Sequence, residues 1–263
     1  MLSVISPSKN LDFKSRATSR KKTEPIFLNQ AAELVDTMRQ MGADDIKSLM
    51  NINDELANLN EERFHSWDTD LRGTKSAVLA FRGDVYLGLD APTLTEGDLT
   101  SAQRRIRILS GLYGLLRPMD RIHPYRLEMG LPIQSNGFEN LYQFWGARIA
   151  DHLNEELSQH RNPILVNLAS DEYFKVIDTS RIDHPIVQCQ FLDKFRDNYR
   201  FMSYYGKRAR GLMARHIVTQ KIDNLAGLKR FSSNGYQFNM DRSSKTKLVF
   251  TRDEPIPAQS QKA

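Results

Sequence analysis

The sequence predicts one mixed domain of the α/β or α+β class, with a basic cleft, over residues 1–252. Short apolar runs that end in polar clusters are typical of buried strands that lead into functional loops. The segments between these runs repeat apolar residues at helical spacing. No internal repeat and no linker rich in Pro, Gly or Ser divides the chain, and residues 253–263 are expected to form a flexible tail.

Three apolar runs are predicted as buried strands: Leu2–Ile5, Ala77–Phe81 and Ile164–Leu168. A polar cluster follows each run directly, over residues 6–9, 82–86 and 170–173. If the strands are parallel neighbours in one sheet, all three loops open at the edge where open α/β sheets bind their ligands.

Such a convergence would assemble a cleft from side chains of mixed chemistry. The predicted cleft residues are Lys9, Asp84, Tyr86, Arg126, Glu128, Ser170, Asp171 and Tyr173. Acids, bases and nucleophiles together are more than a DNA clamp requires, so Lys9, Asp84 and Glu172 are candidate catalytic residues. Lys9 could form a Schiff base with an abasic site or simply contact a phosphate. Mutual ion pairs that only fix the loops are the alternative.

The remaining periodic segments complete the predicted domain. Asn29–Met41, Asp44–Leu59 and Phe144–Leu157 repeat apolar residues at helical spacing and are predicted as helices. Ile186–Phe191 and Arg200–Tyr205 are predicted as later strands.

Cysteine and histidine usage argues against several site types. Cys189 is the single cysteine, so no internal disulfide is possible, and its apolar strand context predicts a buried, inert thiol. None of the six histidines pairs with another at i, i+4 spacing. We therefore predict no metal and no cofactor, although a carboxylate site for a hard cation stays open.

The apolar runs and the N-terminal residues indicate in which cellular compartment the protein is expected. Every apolar run is far shorter than the roughly 20 residues that a membrane span needs. The N-terminal segment MLSVISPSKN lacks the features of a secretory signal. The expectation is a cytoplasmic protein without a membrane partner.

Positive charge is concentrated in four tracts of the chain. The formal net charge is +5, but residues 1–22, 101–126 and 229–252 each carry six basic and one acidic side chain, and residues 194–216 carry seven and one. A near-neutral average thus conceals basic surfaces that suit an anionic partner.

The tract within Leu99–Arg126 is predicted to form two short basic helices joined by a glycine hairpin, as in a helix-hairpin-helix. Glycines let a backbone approach a phosphate closely, and arginines on the flanking helices would neutralise its neighbours. The predicted nucleic-acid contacts here are Arg104, Arg105, Arg107, Gly111, Gly114, Arg117 and Arg121. A plain glycine turn between core helices, with a solvated arginine face, is the alternative.

A second set of predicted contacts, Lys207, Arg208 and Arg210, stands near the start of a predicted helix. Cations at a helix N-terminus oppose its dipole, which favours an external anion. Ion pairs with the acidic helices are the other interpretation.

Six motifs in order resemble the YaaA family of bacterial peroxide-stress proteins. They are ISPSKNLDF at 5–13, FRGDVYLGL at 81–89, LSGLYGLLRPMDRIHPYRLEMG at 109–130, LYQFWG at 141–146, NLASDEYFK at 167–175 and YGKRARGLMARHIV at 205–218. The resemblance implies an unusual α/β fold with a helix-hairpin-helix and a positively charged cleft. It also implies a cytoplasmic DNA-binding protein that protects cells from hydrogen peroxide, limits free iron and is linked to DNA repair.

The sequence hypothesis is therefore a protein that binds duplex and branched DNA through backbone contacts, without sequence preference, with cooperative self-association on DNA left open. We favour binding over catalysis. An enzyme that acts in the same cleft, on damaged DNA or on a small acidic substrate, is the alternative. Direct iron binding by carboxylates such as Asp171 and Glu172 is a third hypothesis, which lacks paired Glu-x-x-His motifs.

Overall fold

The computed structural model describes residues 1–134 and 137–253. Within them the strands are β1 (Leu2–Ile5), β2 (Asn10–Leu11), β3 (Lys75–Ser76), β4 (Phe81–Arg82), β5 (Ile106–Ser110), β6 (Gly114–Leu116), β7 (Arg121–Ile122), β8 (Leu165–Leu168), β9 (Ile186–Phe195), β10 (Asn198–Arg200), β11 (Gln237–Phe238) and β12 (Lys247–Arg252). The helices are α1 (Leu28–Met38), α2 (Ala43–Met50), α3 (Asp54–Ser66), α4 (Ala77–Ala80), α5 (Asp84–Leu89), α6 (Glu96–Arg105), α7 (Leu141–Ser158), α8 (Asp171–Phe174), α9 (Ser203–Thr219) and α10 (Leu225–Lys229). None of these helices is long and apolar enough to cross a membrane.

An eight-stranded sheet lies at the centre of the described fold, in the order β11-β12-β9-β8-β1-β5-β6, with β10 paired to β9. The strands from β12 to β5 in this order are mutually parallel. Because β1, β5 and β8 are buried along their whole length, their sequences are almost continuously apolar. One hydrophobic core extends from Met1 to Phe250, which confirms a single mixed α/β domain. Of the predicted tail, residues 254–263 lie outside the described residues.

Helix α9 packs against α5, α6, β1 and β9. Its crossing with α5 is very close, because a Cβ atom on Gly211 would overlap the Val85 carbonyl oxygen and one on Gly88 would overlap the Arg208 carbonyl oxygen. Only glycine permits this approach. The crossing brings the N-terminal half of α9 beside the loop that leads into α5.

Several predicted elements have different boundaries in the structure. The predicted helix Asp44–Leu59 is two helices, α2 and α3, because Asn51 adopts a left-handed conformation at φ 49° and the Asn53 side chain caps α3. The predicted strand Arg200–Tyr205 is wrong beyond its first residue, since β10 ends at Arg200 and α9 begins at Ser203. Cys189 is buried in β9, and burial raises the pKa of its thiol to about 12.

The strand predicted at Ala77–Phe81 is wrong: residues Ala77–Ala80 form α4, and only Phe81 continues into a short strand. The amides of Ala77 and Val78 donate to the carbonyl oxygens of Asp120 and Pro118, so the helix start is satisfied by a neighbouring loop. All four helical residues are buried, and a short apolar run of this kind does not distinguish a buried strand from a buried helix.

The helix-hairpin-helix prediction is also wrong. Helix α6 ends at Arg105, residues 106–110 pair with β1 as strand β5, and Gly114–Leu116 return antiparallel as β6. The apolar residues that fitted a helical period are instead buried on both faces of a central strand. Pairing with β1 therefore overrides the local periodicity.

The glycines of this tight β-hairpin lie in the core and do not face solvent. A Cβ atom on Gly111 would overlap the Leu127 carbonyl oxygen, and one on Gly114 would lie 2.6 Å from the Trp145 ring. Tyr113 between them is fully buried, and its hydroxyl accepts hydrogen bonds from the Trp67 indole at 2.9 Å and the His123 amide at 3.0 Å. In this conformation neither glycine can approach a phosphate.

Candidate functional site

A cleft of about 390 Å³ opens at the carboxyl ends of β1 and β8. Ser6 follows β1 and Ser170 follows β8, and Ile5 and Leu168 are register partners in the two parallel strands. The Ser170 amide donates to the Ser6 hydroxyl at 2.9 Å, and the two hydroxyl oxygens are 3.2 Å apart. These contacts join the first and third predicted loops.

The second predicted loop reaches the same cleft although it does not follow a strand of the central sheet. The Tyr86 hydroxyl donates to the Ser6 carbonyl oxygen at 3.1 Å, and the Ser8 hydroxyl donates to the Arg82 carbonyl oxygen. Gly83 allows this contact, because at its φ of 140° a Cβ atom would lie 2.6 Å from the Ser8 oxygen. The three loops therefore converge, as the sequence predicted.

Helix α9 supplies a wall of the cleft that the predicted cleft residues did not include. Lys207 and Arg210 line the cleft together with Asp84 and Glu172. Burial lowers the pKa of the Arg210 guanidinium, and the negative charge of Asp171 partly offsets this effect. The close crossing of α5 and α9 produces this wall, and no local sequence pattern signals it.

Glu128 lies beside the cleft between two cations. Its Oε1 atom is 3.0 Å from both the Lys9 ammonium and the Arg126 guanidinium. Its side chain is only 9% exposed, and its Oε2 atom has no hydrogen-bond partner among the described residues. Lys9 is 62% exposed. An exposed, ion-paired amine lacks the desolvation that a Schiff-base nucleophile needs.

The phenols of Tyr86 and Tyr173 and the carboxylate of Glu172 also line the cleft. Burial raises the pKa of Tyr86 and of Tyr173, and the charges of Glu172 and Glu128 add to the effect at Tyr173. Both phenols therefore stay protonated at neutral pH. The Gly130 amide donates to Glu172 Oε1 at 3.3 Å, and the Tyr142 hydroxyl donates to the Glu172 carbonyl oxygen at 3.0 Å.

The charges that line the cleft are mixed. Lys9, Lys207 and Arg210 are set against Asp84 and Glu172. A basic cleft was expected, but the second and third polar loops bring the carboxylates of Asp84 and Glu172 to this edge. The cleft lining thus carries three cations and two carboxylates.

The family model described as peroxide stress protein YaaA matches residues 1–242. This chain belongs to the YaaA family of peroxide stress proteins. It is also 45% identical over 258 residues to a UPF0246 protein of Cellvibrio japonicus (strain Ueda107), an alignment that covers 97% of this chain and all of that relative. The motifs at 5–13, 81–89 and 167–175 of this family member are the three loops of the cleft.

Four of the arginines predicted to contact DNA lie at the opposite edge of the sheet. Arg104, Arg105, Arg107 and Arg117 border a second cavity, of about 540 Å³, which also contacts Met1. Since Met1 precedes β1 and Ser6 follows it, the two cavities are separated by roughly 16 Å along the strand.

The four arginines differ in burial and in their partners, and therefore in how free they are to contact a phosphate. Arg107 is buried and makes a bidentate ion pair with Glu156, with Nε 2.7 Å from Oε2. Arg105 donates to the Ser101 hydroxyl and to the Ile222 carbonyl oxygen, and Arg117 pairs with Asp120 at 3.0 Å. Arg104 is exposed and forms no ion pair with any described residue. Arg107 is therefore a structural residue, contrary to its predicted role.

Arg121, the remaining predicted contact, lies in β7, where it is 3.6 Å from the Glu24 carboxylate and donates to the Leu71 carbonyl oxygen. It borders neither cavity. The contacts predicted from one tract are thus divided between the core, the amino edge of the sheet and a separate two-stranded sheet.

A group of cations extends from the end of β9 into α9. We call it the basic strip, and it consists of Lys194, Arg196, Arg200, Lys207, Arg208 and Arg210. Within the described part of the chain, none of the six forms an ion pair. The Nε atom of Arg208 is buried without a hydrogen-bond partner there. Only the last three were predicted individually, although the charge count had marked the whole tract.

Residues 1–134 and 137–253 contain no group of three or more His, Cys, Asp and Glu side chains that could hold a metal ion.

Proposed function

We propose that this YaaA-family protein binds duplex and branched DNA through phosphate contacts made by the basic strip, as its part in the response to hydrogen peroxide. The observation that carries the proposal is that none of the six cations of the strip forms an ion pair among the described residues. Elsewhere, arginines such as Arg82, Arg181 and Arg252 are paired with Asp or Glu. Unpaired surface cations fit a polyanion, which releases counterions when it binds.

Nonspecific recognition follows from the kind of side chain involved. Lysine and arginine contacts to phosphate hold a duplex in place and carry no sequence information. The strip lies on the β9–β10 hairpin and on helix α9. Phosphate contacts by its side chains need no helix-hairpin-helix. The exposed Arg104, at the opposite edge, is included as a second phosphate contact.

The first prediction concerns salt dependence. If about 4 to 6 phosphates are neutralised, log affinity for duplex DNA should fall with log salt at a slope of about −4 to −5. Replacing both Arg200 and Lys207 by Ala should reduce the magnitude of that slope by about 2 and weaken binding to unrelated sequences alike. Fluorescence anisotropy with labelled duplexes at several salt concentrations measures both quantities.

The matched control replaces Arg72 and Arg181 by Ala, which removes the same charge from two exposed side chains that are ion-paired with Asp70 and Asp151. This control should keep the wild-type slope. A wild-type slope near zero, or an equal loss in the control, would reject the proposal.

Protection of DNA is the proposed link to peroxide stress. A protein that covers DNA backbones would shield them from radicals and present damaged sites for repair. Limitation of free iron is then an indirect effect of the protein. Lys9 is not activated for Schiff-base chemistry, because its amine is exposed and ion-paired with Glu128.

A further inference from the structure

Exposed aromatic side chains are concentrated next to the basic strip. Among the described residues, the exposed large apolar side chains are Leu59, Leu87, Phe195, Phe201, Tyr204 and Met240. Their three aromatic members, Phe195, Phe201 and Tyr204, are 39%, 47% and 40% exposed and lie within ten residues of sequence. These residues connect the end of β9 to the first turn of α9. We call them the aromatic triplet.

Cations of the strip lie against the rings of the triplet. The Arg200 guanidinium is 3.4 Å from the Phe195 ring centroid, and that of Arg196 is 5.5 Å from the same ring. The Arg210 guanidinium is 5.6 Å from the Phe201 centroid. Each ring with an adjacent guanidinium resembles the alternation of aromatic and basic groups on which bases of single strands stack.

Packing at the start of α9 restrains two of the rings, those of Phe201 and Tyr204. A Cβ atom on Gly206 would overlap the Phe201 ring, so the ring rests directly on the first turns of α9. Tyr204 packs edge-on against Tyr205, whose ring also contacts the Arg252 guanidinium at 4.6 Å. A rigid aromatic surface loses little conformational entropy when a base stacks on it.

Charge identifies the occupant of this surface. An apolar protein partner would bury the six unpaired cations of the strip without counter-charge, which is costly. An unpaired nucleotide offers both a π face for the ring and a phosphate for the cation. The strip also ends at the cleft, since Lys207 and Arg210 line it.

We propose that the aromatic triplet is a stacking platform for unpaired nucleotides, with their phosphates paired to the basic strip. This inference rests on the proposed function and deepens it, because it assigns the single-stranded or junction part of branched DNA to a defined surface. Duplex segments, whose bases are already stacked on each other, would contact only the cations.

The test uses a 20-nucleotide oligothymidylate and a duplex of equal length. Replacing Phe195, Phe201 and Tyr204 together by Leu should weaken oligothymidylate binding by about tenfold or more, because one stacked base contributes roughly a factor of five to a hundred. Duplex affinity and its salt slope should not change. The control variant replaces the exposed Leu87 and Met240 by Ala and should bind both probes like the wild type.

A second readout does not depend on affinity. Trp67 and Trp145 are buried, so a tryptophan introduced as Tyr204→Trp adds a solvent-exposed fluorophore. Oligothymidylate should quench its emission by stacking, and the duplex should not. Absence of quenching together with wild-type oligothymidylate affinity in the triple Leu variant would overturn the platform.

The possible failures can be told apart. If the charge variants weaken duplex binding while the triple Leu variant changes nothing, only the platform is wrong. If no nucleic acid binds with a salt-dependent affinity, the proposed function fails as well. Sedimentation showing that the wild type self-associates and the triple Leu variant does not, with oligothymidylate binding unaffected, would assign the triplet to a protein interface and overturn the platform.

Discussion

At the scale of single residues, Glu156 connects helix α7 to the central sheet. Both of its oxygens accept hydrogen bonds from the buried Arg107 of β5, and His152 lies 3.5 Å away on the same helix. Burial raises the pKa of this carboxyl, but the hydrogen bonds and positive charges of His152 and Arg107 outweigh it and lower the pKa to about 2. The folded state therefore favours the ionised form.

This shift predicts a pH-dependent loss of stability. Since the folded pKa is about 2 and the ordinary value is 4.5, the contribution of the Glu156 carboxylate is complete above about pH 4.5 and is lost as pH falls towards 2. Glu156→Gln should lower the free energy of unfolding by about 3 kcal/mol at pH 7. Urea unfolding at several pH values should show this difference shrinking below pH 4.5.

The neighbouring Glu155 provides the control, because it is 73% exposed and lies near His152 alone. Glu155→Gln should have little effect at any pH. A destabilisation by Glu156→Gln that stays constant down to pH 2 would contradict the assigned role of the ion pair.

At the scale of elements, the crossing of α5 and α9 determines the shape of the cleft. It carries Asp84 and Tyr86 on one helix and Lys207 and Arg210 on the other into the same cavity. The glycines at the contact permit this approach, and a methyl group there would meet backbone atoms, which cannot move aside as a side chain does.

Gly211→Ala should therefore destabilise the protein by about 1 to 3 kcal/mol or more and widen the cleft. The helical Gly97 is a suitable control, since a Cβ atom there would lie 3.7 Å from the Thr95 hydroxyl oxygen, in ordinary contact. Gly97→Ala should be neutral or stabilising by up to about 1 kcal/mol. Thermal unfolding of both variants compares them directly, and equal stability would show that the crossing tolerates a side chain.

At the scale of the whole molecule, two basic surfaces lie at opposite edges of one sheet. The basic strip borders the cleft at the carboxyl edge, whereas Arg104 and Arg161 border the cavity at the amino edge. Arg104 and Arg161 form no ion pair with the described residues, whereas Arg107 is ion-paired with Glu156. A partner that contacts both edges must bend around the sheet or present more than one arm.

This arrangement predicts a dependence on DNA shape. Replacing Arg104 and Arg161 by Ala should weaken binding of a four-way junction more than binding of a linear duplex, because only the branched molecule has arms that can reach both edges. Competition between the two DNA forms for the wild type and the variant measures the ratio. An equal loss of affinity for both DNA forms would contradict this prediction, because it would mean that a single duplex contacts both edges of the sheet.

The sequence by itself determined the class of fold, the strands β1 and β8, the helices α1 and α7, and the three loops of the cleft. These features follow from apolar periodicity and from polar residues placed directly after buried runs. Three of the six motifs that carry the family resemblance lie in the same loops, so the family was also predictable. Ala77–Ala80 was not, because a buried run of four residues has no period that separates helix from strand.

Tertiary structure alone decided where the cations lie. Arg104 and Arg107 are three residues apart, yet one is exposed and the other is buried against Glu156, because β5 pairs with β1 and turns the hairpin into the core. Lys207 and Arg210 reach the cleft only through the glycine contact between α5 and α9. Cations can be counted along a sequence. Whether a cation is free to bind an external anion depends on which carboxylates the fold brings near it, and non-local packing decides this.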